Sequence, residues 1–445
     1  MESQLSLENQ NLSEDFGSKT NNGTESFPDL QPEPASSGRL LSLDALRGAN
    51  MLFIMGGAGF FVALAAAFPC SVTQAIADQM EHVSWHGFKH HDMIFPLFLF
   101  LAGMSFPFSL GKQRQNGKST LAIYCKIIIR ALLLIILGIL HYNKVNFDYA
   151  HWRYASVLGH IGVAWAFAAI IFMNTGFKMQ TVIATVVLIG YWLLLTLVPS
   201  PDVAPKEAFT QEAFQKRVAN LLNPDDEIKN NLTMEVCIVG YVDRMYLPGK
   251  LYKKIHDPEG ILSVIPAIIT ALLGAMTGGF IRNNMRFSPL KKTGILIVWG
   301  AFLVAIGLLW NEVFPMNKNL WNSSFVCFVG GLSILAFALF YWIIDICKIR
   351  FWITFFVVIG MNSITIFLAQ RVIGFNQARN FFFEDLSKVV PEKAVAWAQY
   401  VPESIRQTTE NVLANSGDLI ESIGYITVCW IFLYFLYRHK IFFKI

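Results

Sequence analysis

Four of the nine histidines fall within ten residues, in the run Glu81-His82-Val83-Ser84-Trp85-His86-Gly87-Phe88-Lys89-His90-His91-Asp92. Imidazole changes charge near neutral pH, so such a cluster can supply a general base or a nucleophile. Asp92 follows His82 by ten residues and is a carboxylate able to orient a histidine. His82, His86 and His90 are spaced i, i+4, i+8, which on one helix could present metal ligands; Gly87 interrupts that helix and no fourth ligand is evident, so no metal is expected. The plain alternative is a belt of histidine and tryptophan anchors at a membrane interface.

Three further places concentrate polar chemistry in an apolar chain. Gly240-Tyr241-Val242-Asp243-Arg244 and Asp257-Pro258-Glu259-Gly260 set acids beside an arginine. Asp243, Arg244, Asp257 and Glu259 would suit a hydroxyl-rich ligand, or form an ordinary solvated loop. Asn317-Lys318-Asn319-Leu320-Trp321 and Gly360-Met361-Asn362-Ser363 add amides. Asn362 lies in an apolar run and must find partners among neighbouring helices. Asn317, Asn319, Asn362 and Trp85 join the candidate substrate contacts. Finally, Asp44 and Arg47 in Ser42-Leu43-Asp44-Ala45-Leu46-Arg47-Gly48 are i, i+3 and can pair on a helix. They offer either a site for an anionic ligand or a simple charged anchor.

The elements that carry these residues follow from composition. Of 445 residues, 54% are hydrophobic and 15% charged, and mean hydropathy is +0.46. Soluble domains carry about 25% charged residues, so an ordinary soluble enzyme, a disordered chain and a disulfide scaffold are excluded. Segments of about 20 apolar residues span a bilayer. About ten occur, near 48–68, 93–110, 127–141, 156–173, 179–199, 261–281, 293–313, 322–346, 352–372 and 418–437. The second and third are short and should borrow a turn from their flanks. The expected fold is an all-α polytopic membrane protein, one bundle of about ten helices.

Residues 1–38 hold seven acids against one lysine, net −6, so the remainder carries +10 of the total +4. This stretch has no secretory signal and reads as a disordered tail, with residues 39–445 as the membrane domain. Lysine and arginine alternate between loops. One set runs from Arg39, Arg47 and Lys112 through Arg282, Lys348 and Arg350 to Arg438 and Lys444; the short loops of the other set hold only Lys89, Lys144, Arg153 and Lys318. The bias puts both termini in the cytoplasm. It reads as topology, and no nucleic-acid site is expected. Two long outer segments, 200–260 and 373–417, remain, the second patterned as one or two amphipathic helices. No internal repeat is visible. The six cysteines lack CxxC spacing, and Cys70 with Cys237 leaves a disulfide open.

Taken together the motifs resemble the transmembrane heparan-α-glucosaminide N-acetyltransferase family. The likeness is carried by Arg39–Gly48, by His82-x-Ser84-Trp85-x-Gly87 with Asp92 and Phe95-Pro96, and by the Gly240–Arg244, Asp257–Leu262, Asn317–Trp321, Gly360–Ser363 and Tyr437–Ile445 segments, all in order. The resemblance implies that an acetyl group passes from cytosolic acetyl-CoA to a sugar amine across the membrane, with His82 as the catalytic histidine. On that basis His82 would act as nucleophile or general base, and Asp92 could orient His82 or its neighbours. Acetyl-CoA would meet Asp44, Arg47 and Arg130, or Lys112, Arg114 and Lys126, on its way in. The chain departs from the human-type pattern in span 1, where Ile54-Met55-Gly56-Gly57-Ala58-Gly59 lacks that form's asparagine. Two other classes stay open: a transporter or flippase of a polar envelope precursor, and an O-acetyltransferase of an envelope glycan. The lipid bilayer is the expected partner, a homodimer is left open, and a bacterial inner membrane is the expected location.

Overall fold

Apolar segments can satisfy their backbone polar groups in lipid only as helices or closed barrels, and in this chain they form helices. The computed structural model describes residues 40–143, 148–283, 286–398 and 400–443; the tail expected over 1–38 lies outside them. In chain order α1 (Leu41–Ala67) and the short α2 (Ser71–Asp78) precede α3 (His90–Gln115), α4 (Thr120–Tyr142), α5 (Val157–Asn174) and α6 (Phe177–Leu197). The connection after α6 folds into α7 (Gln211–Ala219), α8 (Asp226–Asn231) and α9 (Ile238–Tyr246). Then come α10 (Val264–Asn283), α11 (Pro289–Asn311) and α12 (Ser323–Ile346). The chain ends with α13 (Ile353–Met361), α14 (Ser363–Val372), α15 (Phe375–Ala398), α16 (Glu403–Ala414) and α17 (Ser416–Arg438).

Among the described residues nine helices are long and apolar enough to cross a membrane, and α13 with α14, bent by 68°, gives ten when counted as one span. No strand forms among them; one isolated bridge joins Arg153 to Gly249. The two short apolar runs do extend into their flanks as α3 and α4. The bend in the ninth span was not expected. The side chain at the break bonds elsewhere: Asn362 Nδ2 donates to the Ile441 carbonyl at 3.1 Å and Asn362 Oδ1 accepts from Thr365 at 3.3 Å. An amide that bonds this way competes with the helix ladder. The segment 373–417 forms two helices, and α15 packs along α17, with the Phe383 ring against Gly424.

Polar caps and small residues set the boundaries and the spacing. Ser119, Ser156, Ser288 and Asn322 each accept from a backbone N–H three residues on, starting α4, α5, α11 and α12. At Gly103 an added Cβ would lie 1.9 Å from the Ala271 carbonyl, and at Gly274 2.0 Å from that of Phe100. Only glycine lets α3 and α10 approach so closely. The helix ends group into two faces. At the arginine- and lysine-rich end Arg282 donates to the Pro107 carbonyl at 2.9 Å, and Leu40 and Phe443 line one cavity. At the histidine end Trp85 Nε1 donates to the Leu232 carbonyl at 2.8 Å and the Tyr191 hydroxyl to that of Leu320 at 2.7 Å. Cys70 is exposed and Cys237 buried, both free thiols, so the disulfide left open is not formed.

Candidate active site

Asp92 is the third residue of α3, where the helix dipole favours an anion. Its Oδ2 accepts from the backbone N–H of Lys89 at 3.2 Å and of Val83 at 3.4 Å. Its Oδ1 lies 2.6 Å from His82 Nδ1. An ionised carboxylate only accepts, so Nδ1 donates, and in the neutral ring that tautomer leaves the lone pair on Nε2. The Asp92 side chain is 1% exposed and that of His82 53%, so the acid is fixed inside while the ring meets solvent. The arrangement can take a proton from an incoming nucleophile, or attack a carbonyl itself.

Lys318 completes the group, with Nζ 3.2 Å from His82 Nδ1 and 3.4 Å from Asp92 Oδ1. Burial holds its amine below the ordinary lysine value, against the opposing charges of Asp92 and Glu259. The three histidines spaced i, i+4, i+8 do not share a helix. His82 faces Asp92, His86 Nδ1 lies 3.4 Å from Asn317 Nδ2, and His90 packs on Phe53 at 4.6 Å. Among the described residues no group of three metal-ligating side chains converges. Burial lowers the His86 pKa. His91 instead lies edge-on to His82, with ring centroids 4.6 Å apart.

The acids of the long loop gather around Arg153. Arg153 Nε and Nη2 reach the two Asp257 oxygens at 2.9 and 2.7 Å, and Nη2 also bonds Glu259. Its guanidinium lies over the rings of Tyr142 and Tyr252 at 4.7 and 4.6 Å. Burial alone would disfavour its charge, but the bond to Asp257 and the charge of Glu259 outweigh it and raise its pKa. Burial pushes the Glu259 carboxyl up to about 7. Burial opposes ionisation of Asp257 too, yet Arg153 wins and holds it low.

Asp243 and Arg244 are spent on the loop itself. Asp243 accepts from the backbone N–H groups of Asp257 and Ile261 at 3.3 and 3.0 Å. Arg244 clamps Asp202 with two bonds of 2.9 Å and donates to the Ile255 carbonyl at 2.7 Å. Asn317 Oδ1 accepts from Leu320 N–H at 3.0 Å, and the Asn319 carbonyl lies 3.1 Å from His256 Nε2. Trp85 stands edge-on to His256 at 5.6 Å, with Lys253 Nζ 5.6 Å from its ring. Asn362 is not in this group; its neighbours Met361 and Ser363 line the cavity described next.

That cavity, of about 560 Å³, lies within the bundle. Leu40, Asp44 and Arg47 line it at the basic end, Arg130 along its wall, and Phe95 and Val157 toward the histidine end. Arg47 pairs with Asp44 at 3.2 Å and donates to Ser105 at 2.8 Å. Arg130 lies over the Trp165 ring at 4.3 Å. Two guanidiniums in a mostly apolar cavity, beside Asp44 and the hydroxyls of Ser105, Ser109 and Ser363, fit a ligand with an anionic head and a long, weakly polar arm. Of the five basic residues expected to meet such a ligand, Arg47 and Arg130 line the cavity. His82 is not on its wall. Phe95, one helical turn from Asp92, closes that end, with Trp321 at 4.8 Å and His160 at 5.4 Å.

Sequence reasoning gave Lys318 and Arg153 no site role: Arg153 counted only as a loop charge, and Lys318 as a loop charge within the Asn317–Trp321 segment. The available signal was their rarity on a side otherwise poor in lysine and arginine.

No family model matches the chain. It is similar to the curated heparan-alpha-glucosaminide N-acetyltransferase of Homo sapiens, 26% identical over 462 aligned positions, covering 92% of this chain and 60% of that protein. It is similar to the Mus musculus protein of the same name, 24% identical over 471 positions, covering 94% of this chain and 62% of the relative. The chain thus spans about three fifths of the length of these relatives. Two matches of this extent, to proteins of one name and across nearly the whole helical bundle, support the membership of this chain in the heparan-alpha-glucosaminide N-acetyltransferase family.

Proposed function

We propose that the protein is a transmembrane acetyltransferase that takes an acetyl group from acetyl-CoA at its basic, cytosolic end and delivers it to an amino sugar or related glycan at the histidine end. The observation that carries this reading is the His82–Asp92 pair, 2.6 Å apart, with Asp92 one helical turn from Phe95 on the wall of an arginine-lined cavity. Arg47 and Arg130 would neutralise the anionic head of the thioester, with Asp44 holding Arg47 in place. The apolar wall suits the pantetheine arm.

His82 acts from Nε2 by one of two routes. It deprotonates an amine that attacks the thioester, or it attacks the carbonyl, expels the thiolate and hands the acetyl group on. Asp92 orients the ring in both. Glu259, held against Arg153 with its side chain 11% exposed, and Trp85 are the proposed acceptor contacts on this side. Asp257, Asp243, Arg244, Asn317 and Asn319 shape the acceptor site through the loop and turn they hold together. On this reading both termini are cytosolic, a placement the lysine and arginine bias of the loops supports, and residues 39–445 act as a single catalytic domain in a bacterial inner membrane.

The test is purified protein incubated with labelled acetyl-CoA and glucosamine, then with muropeptide and lipopolysaccharide fragments, followed by mass analysis. An N-acetylated product supports the reading. An ester product moves the acceptor to a hydroxyl. Neither product, together with no detectable acetyl-CoA binding, returns the bundle to the transporter class.

A further inference from the structure

From sequence Lys318 is only an outer-loop charge, yet its ammonium sits inside the His82–Asp92 pair. Asp92 Oδ2 is occupied by the backbone N–H groups of Val83 and Lys89. Oδ1 is shared between His82 Nδ1 at 2.6 Å and Lys318 Nζ at 3.4 Å. One oxygen thus serves an imidazole and an ammonium that are themselves 3.2 Å apart. The Lys318 side chain is 17% exposed, so it gives up most of its hydration to stand there.

The turn that carries Lys318 is over-determined. Asn322 Oδ1 accepts from Asn317 N–H at 3.1 Å and Asn322 Nδ2 donates to the Pro315 carbonyl at 2.6 Å. Trp321 N–H returns to the Lys318 carbonyl at 3.1 Å. Trp321 itself has φ 51°, a left-handed backbone that a bulky residue rarely adopts. Strain of this kind persists where the surroundings enforce it, and here it fixes the direction of the lysine.

The charged and titratable groups around the ring come from three elements. Asp92, His90 and His91 belong to α3, Lys318 to the turn, and Glu259 and Lys253, which act on Lys318, to the 247–263 loop. Building on the acetyl-transfer reading, we propose that Lys318 is a positioning residue. It holds the Asp92 carboxylate anionic and in place, and it disfavours a second positive charge on the adjacent His82 ring, keeping the Nε2 lone pair free at neutral pH. Asp92 alone would orient the ring but would also invite a proton onto it. The ammonium offsets the second effect and keeps the first.

Diethyl pyrocarbonate, which carbethoxylates unprotonated imidazole, tests this on the full-length protein in detergent. Labelling of His82 is followed by peptide mass spectrometry across pH in the unaltered protein and in Lys318→Met, Lys318→Gln and Lys318→Arg, with His86 as internal reference. The expected result is a half-labelling pH for His82 that rises by about one unit in the methionine and glutamine variants and stays in the arginine variant. Lys318→Gln decides the matter should Lys318→Met fail to fold. An unmoved profile in a folded neutral variant overturns the proposal, as does an equal shift in Lys318→Arg. In acetyl transfer the neutral variants should lose kcat at acid pH and recover it at alkaline pH, with acceptor KM unchanged; a loss equal at every pH marks a merely structural lysine. Failure of the unaltered protein to transfer acetyl overturns the proposed function instead, while the labelling profiles still report on the charge arrangement.

Discussion

Arg153 and Asp257, 104 residues apart in sequence, meet through two N–H···O bonds of 2.9 and 2.7 Å. The pair is buried, since Asp257 is wholly inaccessible and the Arg153 side chain 11% exposed. Removing one partner strands the other in a low-dielectric site. Arg153→Ala is therefore expected to cost roughly 3–5 kcal/mol and to loosen the 247–263 loop. A lower unfolding temperature in detergent and faster proteolysis in that loop check it. Arg153→Lys keeps the charge but loses the fork, and should fall between the two.

His82→Ala is expected to abolish acetyl transfer, and Asp92→Asn to lower kcat by roughly 10²–10⁴, the range of a general base and its orientation. Both proteins should elute as the unaltered one does in size-exclusion chromatography. Turnover of labelled acetyl-CoA measures the effect, and substantial transfer by the His82 variant would remove the ring from the mechanism.

Glu259 makes stability depend on pH in a definite direction. Its carboxyl is raised from 4.5 to about 7 by burial, so the folded protein binds that proton more tightly than the unfolded chain. Its contribution is full below pH 4.5 and is lost as the pH rises to about 7. Glu259→Gln carries no titration, so its unfolding temperature relative to the unaltered protein should climb across that window and then level off. Paired melting curves over pH test this; a constant difference would contradict it.

At the other end, Arg47→Ala and Arg130→Ala should each weaken acetyl-CoA binding by about ten- to a hundredfold, the loss of one charge-assisted contact of roughly 1.5–3 kcal/mol. Higher salt should reduce the difference. Calorimetric titration with CoA reads both. Ser105→Phe, which places a ring in the same cavity, should block binding without changing the His82–Asp92 geometry.

The crossings were legible because hydropathy is a property of a contiguous window: each expected span has its helix. The bend at Asn362 was not, since the amide at the break finds its partner in the carbonyl of Ile441, 79 residues away. Of the candidate site, the His82–Asp92 pair was readable from proximity and residue type. Lys318 reaches His82 across 236 residues and leaves no local pattern. The loop acids show the opposite limit. Asp243 and Asp257 looked available for ligand because sequence shows acids but not the backbone N–H groups and the arginine that occupy them.

Phe95, Trp321 and His160 meet pairwise at 4.8, 5.0 and 5.4 Å. Phe95 faces the arginine-lined cavity and Trp321 belongs to the Lys318 turn. These rings therefore stand between the arginine-lined cavity and the turn that carries Lys318. On the proposed transfer reading, a thioester reaching His82 from that cavity has to push an aromatic side chain aside.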